Sequence, residues 1–92
     1  MNYEKAEVIG LTAITWLVGN DDLLPVFMGA TGAGVDDLKD GAANPEFLGA
    51  VLDFLMMDDQ WVMAFCQAHS LPYETLQQAR MVLPGGTYMN WT

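Results

Sequence analysis

The stretch that decides the fold is residues 44–59, NPEFLGAVLDFLMMDD, because it holds a helix and the start signal of the next one. Asn44 is a good N-cap residue, Pro45 suits the first helical position, and Glu46 suits the positive end of the helix dipole. Apolar residues follow at helical spacing, which predicts a helix over 45–57 with one side in the core. Its inward-facing residues are Phe47, Leu48, Val51, Leu52 and Leu55.

The same stretch ends in two adjacent carboxylates, Asp58 and Asp59. Side chains of adjacent residues at a helix start diverge, and the helix dipole stabilises the charged form of both. We therefore interpret Asp58 as the N-cap of a helix over 59–69. The alternative is a carboxylate site in which Asp58 and Asp59 form one half and Asp53 or Glu46 supplies the other. The helical pattern places Asp53 and Glu46 together on the solvent side.

Similar signals for the start and the end of a helix occur along the whole chain, whereas the alternation of apolar and polar residues that is typical of strands does not. Glycine and proline interrupt the apolar pattern at Gly19, Pro25, Pro72 and Pro84. The predicted helices cover 3–18, 23–30, 35–42, 45–57, 59–69 and 73–83, followed by a C-terminal tail over 84–92. The first helix has apolar flanks and is expected to be central and largely buried. We predict an all-α protein, a single helical domain over 1–92 built as a compact orthogonal bundle of about five to six short helices.

The charge balance argues against nucleic-acid and membrane partners. The chain has 12 acidic and 3 basic residues and a net charge of −9, which repels phosphate backbones and anionic membranes. Lys5, Lys39 and Arg80 lie far apart in the sequence and predict no basic patch. No signal-peptide pattern is visible, and no uncharged run reaches the ~20 residues that span a bilayer. With Cys66 as the single cysteine, these features predict a cytoplasmic protein.

Two segments invite a ligand-binding interpretation that their spacing does not support. Residues 29–34 are rich in glycine, but they lack the preceding strand and the lysine of a phosphate loop, and Asp36 and Asp37 follow directly. A calcium-binding loop that starts at Asp36 would match at its first, fifth and sixth positions only, which are Asp36, Asp40 and Gly41. Its third position holds Leu38 and its twelfth holds Phe47, neither of which can bind calcium. We therefore predict no cofactor and no metal.

Cys66 and His69 stand one helical turn apart and could suggest half a metal site or an activated thiolate. A metal site needs three or four ligands, and the chain has one cysteine and one histidine. We expect Cys66 to be a buried, slowly reacting thiol and His69 to lie at a helix C-terminus, where the dipole favours it. No catalytic constellation is visible, and we predict that the protein is not an enzyme.

The composition favours a contact surface for another protein. The chain is 52% hydrophobic and 16% charged, and a small domain has little interior in which to hide that much apolar side chain. Methionine and aromatic residues suit such contacts. The candidate interaction residues are Met28, Met56, Met57, Tyr88 and Trp91. Phe27 and Met63 are also candidates, although core packing is the favoured interpretation for both.

The predicted function is a protein-interaction module that binds a protein partner or itself, with a homodimer as one version. The alternative is a domain that binds a small ligand or a divalent cation at an acidic edge around Asp53, Asp58 and Asp59.

Several short motifs resemble a bacterial family. They are Pro-Glu-Phe-Leu-Gly-Ala-Val-Leu-Asp-Phe-Leu-Met-Met-Asp-Asp at 45–59, Ala64-Phe65-Cys66, Leu71-Pro72, Ala79-Arg80 and Leu83-Pro84-Gly85-Gly86. With them, nearly the whole chain from Glu4 onwards resembles the family of domains of unknown function numbered 3572, short proteins found mainly in alphaproteobacteria. The resemblance implies a small cytosolic helical protein. It implies no catalytic residue, because no activity is established for the family.

Overall fold

The computed structural model describes residues 1–84, except for the side chain of Val35. These residues form six helices and no strand, which confirms the predicted all-α class. The helices are α1 (Tyr3–Val18), α2 (Leu24–Thr31), α3 (Val35–Gly41), α4 (Pro45–Leu55), α5 (Asp59–Ala68) and α6 (Thr75–Val82). The predicted tail over 84–92 lies, apart from its first residue, outside the described part of the chain.

Side-chain caps define the starts of three helices. Asn2 Oδ1 accepts a hydrogen bond from the backbone N–H of Lys5 at 2.8 Å and begins α1. Asn44 Oδ1 accepts from the N–H of Glu46 at 3.0 Å and begins α4. Asp58 Oδ1 accepts from the N–H of Gln60 at 2.8 Å and begins α5. Each bond satisfies a backbone donor that has no partner inside its helix.

The helix α4 is shorter at its C-terminal end than the apolar pattern of its sequence predicts. α4 ends at Leu55, two residues before the predicted end at 57. The N–H of Met57 bonds to the carbonyl of Phe54 at 3.1 Å, three residues back, so the chain tightens after the last helical turn. This turn lets Asp58 adopt the extended backbone, φ −138° and ψ 119°, that an N-cap requires.

α4 is the central element of the fold. It packs against α1, α3, α5 and α6, and Phe27 of α2 contacts it as well. The crossing with α1 is close, because a β-carbon added at Gly10 would lie 2.8 Å from Leu48 Cβ. Eight of its residues are buried: Phe47, Leu48, Gly49, Ala50, Val51, Leu52, Phe54 and Leu55.

Aromatic rings connect α2, α4 and α5 inside the core. Phe27 meets Phe54 edge-to-face, with ring centroids 5.1 Å apart, and meets Phe47 in the same way at 6.0 Å. Phe54 in turn stacks on Trp61 at 4.8 Å. Trp16 of α1 contacts Phe65 edge-to-face at 5.6 Å, which brings α1 against α5. Such pairs add about 0.5–1.5 kcal/mol each beyond the area that they bury.

Two expectations about side-chain exposure were wrong. α1 is buried on one side only, and its other side exposes Val8 and Leu11, because α4 and α6 cover a single face of this helix. Asp53 does not point freely to solvent with Glu46. It contacts Arg80 of α6 with its Oδ2 2.8 Å from Arg80 Nε, and only 14% of its side chain is exposed.

Candidate interaction surface

α1 carries apolar side chains on two opposite faces. The inner face is buried in the core and consists of Ala6, Ile9, Gly10, Ala13, Ile14 and Leu17. On the opposite side, Val8 is 58% exposed, Leu11 40% and Val18 47%. A surface helix normally places polar and charged residues there, so this second face requires an explanation other than core packing.

Two threonines on the same side do not make it strongly polar. The hydroxyl of Thr12 donates to the carbonyl of Val8 at 2.7 Å, and that of Thr15 donates to the carbonyl of Leu11 at 3.0 Å. Both donors are therefore satisfied inside the helix, and the methyl groups add to the apolar surface. We name these residues the α1 outer face; its members are Val8, Leu11, Thr12, Thr15 and Val18.

Acidic residues stand at both ends of the α1 outer face. Glu4 and Glu7 precede it within α1, and Asp21 and Asp22 follow it in the turn to α2. Lys5 is the single basic side chain in this part of the sequence, and residues 8–20 contain no charged residue. The face is thus an uncharged apolar stripe between two acidic ends.

The predicted methionine and aromatic residues do not gather on one surface in the described residues. Met28 and Met56 are half-buried and pack against the core, whereas Met57 is 53% exposed. Tyr88 and Trp91 lie outside the described residues. Of the two candidates for which core packing was favoured, Phe27 is fully buried, but Met63 is 49% exposed, so that expectation was wrong for Met63.

A cavity of about 310 Å³ lies beside Met56 and Asp59. Val62, Tyr73 and Leu76 also line it, and the Tyr73 hydroxyl donates to Asp59 Oδ1 at 2.6 Å. That hydrogen bond is the main reason why the pKa of Tyr73 is raised; desolvation and the negative charge of Asp59 add to the shift. Asp59 therefore ties the start of α5 to the segment before α6.

The three carboxylates of the predicted acidic edge have three different partners. Asp53 pairs with Arg80, Asp58 caps the N–H of Gln60, and Asp59 accepts from Tyr73. Within residues 1–84, no three histidine, cysteine, aspartate or glutamate side chains are grouped so that they could hold a metal ion. In that part of the chain, the carboxylates are therefore not brought together as the ligand set that the cation-binding alternative requires.

A larger cavity of about 480 Å³ lies between α2, α3 and α4. Phe27, Phe47 and Ala50 form apolar parts of its wall, and Asp37 and Asp40 contribute carboxylates. Of the glycine-rich residues 29–34, the first three end α2 and residues 32–34 form the turn to α3. Gly32 in this turn has φ 74°, a conformation that glycine adopts without steric cost. The negative charges of Asp37 and Asp40 beside this turn would repel a phosphate group, which agrees with the sequence-based argument against a phosphate loop.

Cys66 and His69 are in different environments. Cys66 is 4% exposed, and its thiol donates to the carbonyl of Pro72 at 3.4 Å. Burial raises the pKa of this thiol, and the negative charge of Glu74 adds to the effect, so its reactive thiolate is disfavoured. His69 is exposed at the C-terminal cap of α5, with its ring centroid 4.8 Å from that of Phe65.

The α1 outer face is the feature that the sequence interpretation missed. The available signal was the uncharged run over 8–20, in which apolar residues recur on two sides of one helix. This pattern predicts a central, largely buried helix, since a helix that is apolar all round is usually a core helix. In this chain, however, α1 lies at the side of α4, and its second face stays uncovered in the described residues.

No helix within residues 1–84 is long and apolar enough to cross a membrane.

These features define a small all-α protein whose most distinctive surface is an uncharged apolar helix face. The family model described as "Protein of unknown function (DUF3572)" matches residues 3–86, and the chain belongs to this family. The match confirms the resemblance seen in the sequence motifs. Neither a curated protein nor a solved structure gives a significant match.

Proposed function

We propose that this protein is a non-enzymatic interaction module that binds another protein through the α1 outer face. The observation that carries the proposal is the exposure of Val8, Leu11 and Val18 on a helix whose opposite side is already committed to the core. Exposed apolar side chains aligned on one helix favour a docking surface, whereas single scattered ones need no explanation.

The other features support binding rather than catalysis. The buried thiol of Cys66 has a raised pKa, and the carboxylates of Asp53 and Asp59 are engaged with Arg80 and Tyr73. These interactions hold helices and turns together. A single buried cysteine also suits a reducing compartment, and we place the protein in the cytoplasm as part of the proposal.

Site-specific photo-crosslinking in the native cells tests the proposed function. A photoreactive amino acid is placed at Leu11 in one variant and at Met81, which is 79% exposed on α6, in a matched variant. We expect a discrete protein adduct from position 11 and none of that mass from position 81. Equal adducts from both positions, or none from position 11, would contradict the proposal.

A further inference from the structure

We propose that the occupant of the α1 outer face is an amphipathic helix of a partner protein, with lysine or arginine residues at both ends of its apolar side. This inference rests on the proposed function above and adds the chemistry of the partner. Three observations carry it: the shape of the face, the acidic residues at its two ends, and the net charge of the chain.

The shape suits another helix. From Val8 to Val18 the face extends about 15 Å, since each helical residue adds about 1.5 Å. Val8, Leu11, Thr15 and Val18 follow one another at spacings of three and four residues, and they form one ridge along α1. Packing of such a ridge against the side chains of a second helix is the usual way in which helices meet.

The acidic ends select for a positively charged partner. Glu4 and Glu7 stand before the apolar stripe, where Lys5 offsets one of their two negative charges, and Asp21 and Asp22 stand after it. A helix with an apolar centre and basic residues near its two ends would place opposite charges together at both places. Such complementarity speeds association and discriminates against partners of the wrong charge.

A second copy of this chain fits the same face less well. Two α1 helices packed side by side bring acidic ends together in either orientation, because Glu4 and Glu7 mark one end and Asp21 and Asp22 the other. Each copy also carries a net charge of −9, which adds long-range repulsion. Charge therefore favours a basic helix over self-association.

The test uses a labelled helical peptide about 18 residues long, with a leucine stripe and lysines at both ends, long enough to form a helix. A matched peptide carries glutamate in place of each lysine. Binding is followed by fluorescence anisotropy with the full chain, Leu11→Asp and Met81→Asp. The two substitutions add the same negative charge at exposed apolar positions, so nonspecific attraction to the lysine peptide should increase equally in both.

We expect the lysine peptide to bind the natural chain and Met81→Asp alike, and Leu11→Asp about tenfold more weakly or worse, because an apolar contact is lost. Leu11→Ser should weaken binding in the same direction without a charge change. Raised salt should weaken binding of the lysine peptide, and the glutamate peptide should bind poorly. Thermal melting of each variant verifies that the fold is retained.

Four outcomes would overturn the inference. Unchanged or tighter binding by Leu11→Asp would show that the face is not used. Equal binding of the two peptides would remove the charge requirement, while a crosslink at position 11 would leave the proposed function standing. A dimer in sedimentation that Leu11→Asp dissociates would make a second copy the occupant. Binding to phosphatidylcholine vesicles that Leu11→Asp abolishes would assign the face to a lipid surface.

Discussion

Arg80 Nε lies 2.8 Å from Asp53 Oδ2 and joins α6 to α4, and both side chains are mostly buried, with 18% and 14% exposed. The contact between the two atoms does not meet the geometry of a hydrogen bond, so their attraction is mainly between charges. The same guanidinium donates through Nη1 to the carbonyl of Leu83 at 2.9 Å and so contacts the end of α6. Arg80 thus connects α6 to α4 and also bonds to the C-cap of its own helix, so its charge is used for structure.

Replacing Arg80 with methionine should lower the free energy of unfolding by about 1–3 kcal/mol, because Asp53 and the Leu83 carbonyl lose their partner while they stay largely buried. Urea denaturation measures the change. The control is Lys39→Met, which removes the same charge from an exposed position on α3 and should shift stability by less than about 0.5 kcal/mol. Equal effects of the two substitutions would show that the ion pair is not structural.

Two helical glycines should respond in opposite directions to alanine. Gly10→Ala places a methyl group 2.8 Å from Leu48 Cβ, so α1 and α4 must move apart, at a cost of about 1–3 kcal/mol. Gly29→Ala meets nothing within 4 Å and should stabilise α2 by up to about 1 kcal/mol through helix propensity. Thermal and urea unfolding of both variants provide the comparison. A stabilised Gly10→Ala would contradict the close helix crossing.

Asp58→Ala should lower stability by about 1 kcal/mol, because the N–H of Gln60 loses its acceptor. Asp58→Asn removes the same charge but keeps a capping oxygen, and it should stay near the stability of the natural chain. This pair separates the capping hydrogen bond from the charge. If the asparagine variant loses as much stability as the alanine variant, the charge and not the cap is responsible.

The acidic edge predicted from Asp53, Asp58 and Asp59 should bind no divalent cation tightly, since the three carboxylates have separate partners. Millimolar calcium, magnesium or manganese is therefore expected to leave the melting temperature unchanged. A site with micromolar affinity would raise it by mass action. A rise that Asp59→Asn abolishes would restore the cation-binding alternative.

Cys66 should make stability fall at alkaline pH. Burial raises the pKa of its thiol above the ordinary value of 9.0, so the folded state keeps the proton to higher pH than the unfolded chain does. The stabilisation from Cys66 is complete below that ordinary value and is lost as the pH rises through the folded pKa.

Urea denaturation of the natural chain and Cys66→Ala at about pH 8 and about pH 10 tests this dependence. The natural chain should lose more stability over this interval. The cavity left by the alanine does not depend on pH and cancels from the comparison. Tyr73 titrates in both proteins, and the charge of Cys66 is the smallest contribution to the raised pKa of Tyr73. Equal losses would contradict a raised pKa, and so would rapid labelling of native Cys66 by a thiol reagent at neutral pH.

Much of the fold could be predicted because its signals are local. Asn44 and Asp58 act on backbone groups two residues away, so residue type and position suffice to predict their capping bonds. Exposure depends on which elements become neighbours, and a single sequence does not contain that information. Arg80 lies 27 residues after Asp53, and no periodicity connects the two; their pairing follows from the packing of α6 on α4.

The dependence of exposure on neighbouring elements also explains why the position of the candidate interaction surface could not be predicted from the sequence. An apolar side chain on a helix is equally compatible with a core and with a contact surface, as the opposite placements of Phe27 and Met63 demonstrate. Residue type predicted that some apolar surface would remain. The position of that surface on α1 depends on α4 and α6 covering one side of this helix only.

The central position of α4 has a consequence for how the molecule opens. Its amide protons are enclosed by contacts from α1, α3, α5 and α6 and by Phe27 of α2. Exchange of those protons with solvent deuterium should require cooperative unfolding of the whole bundle, so their rates report the global free energy. Amide protons in the first turn of α1 can exchange through local fraying at lower cost, and a partner bound to the α1 outer face would be seen as added protection of this helix.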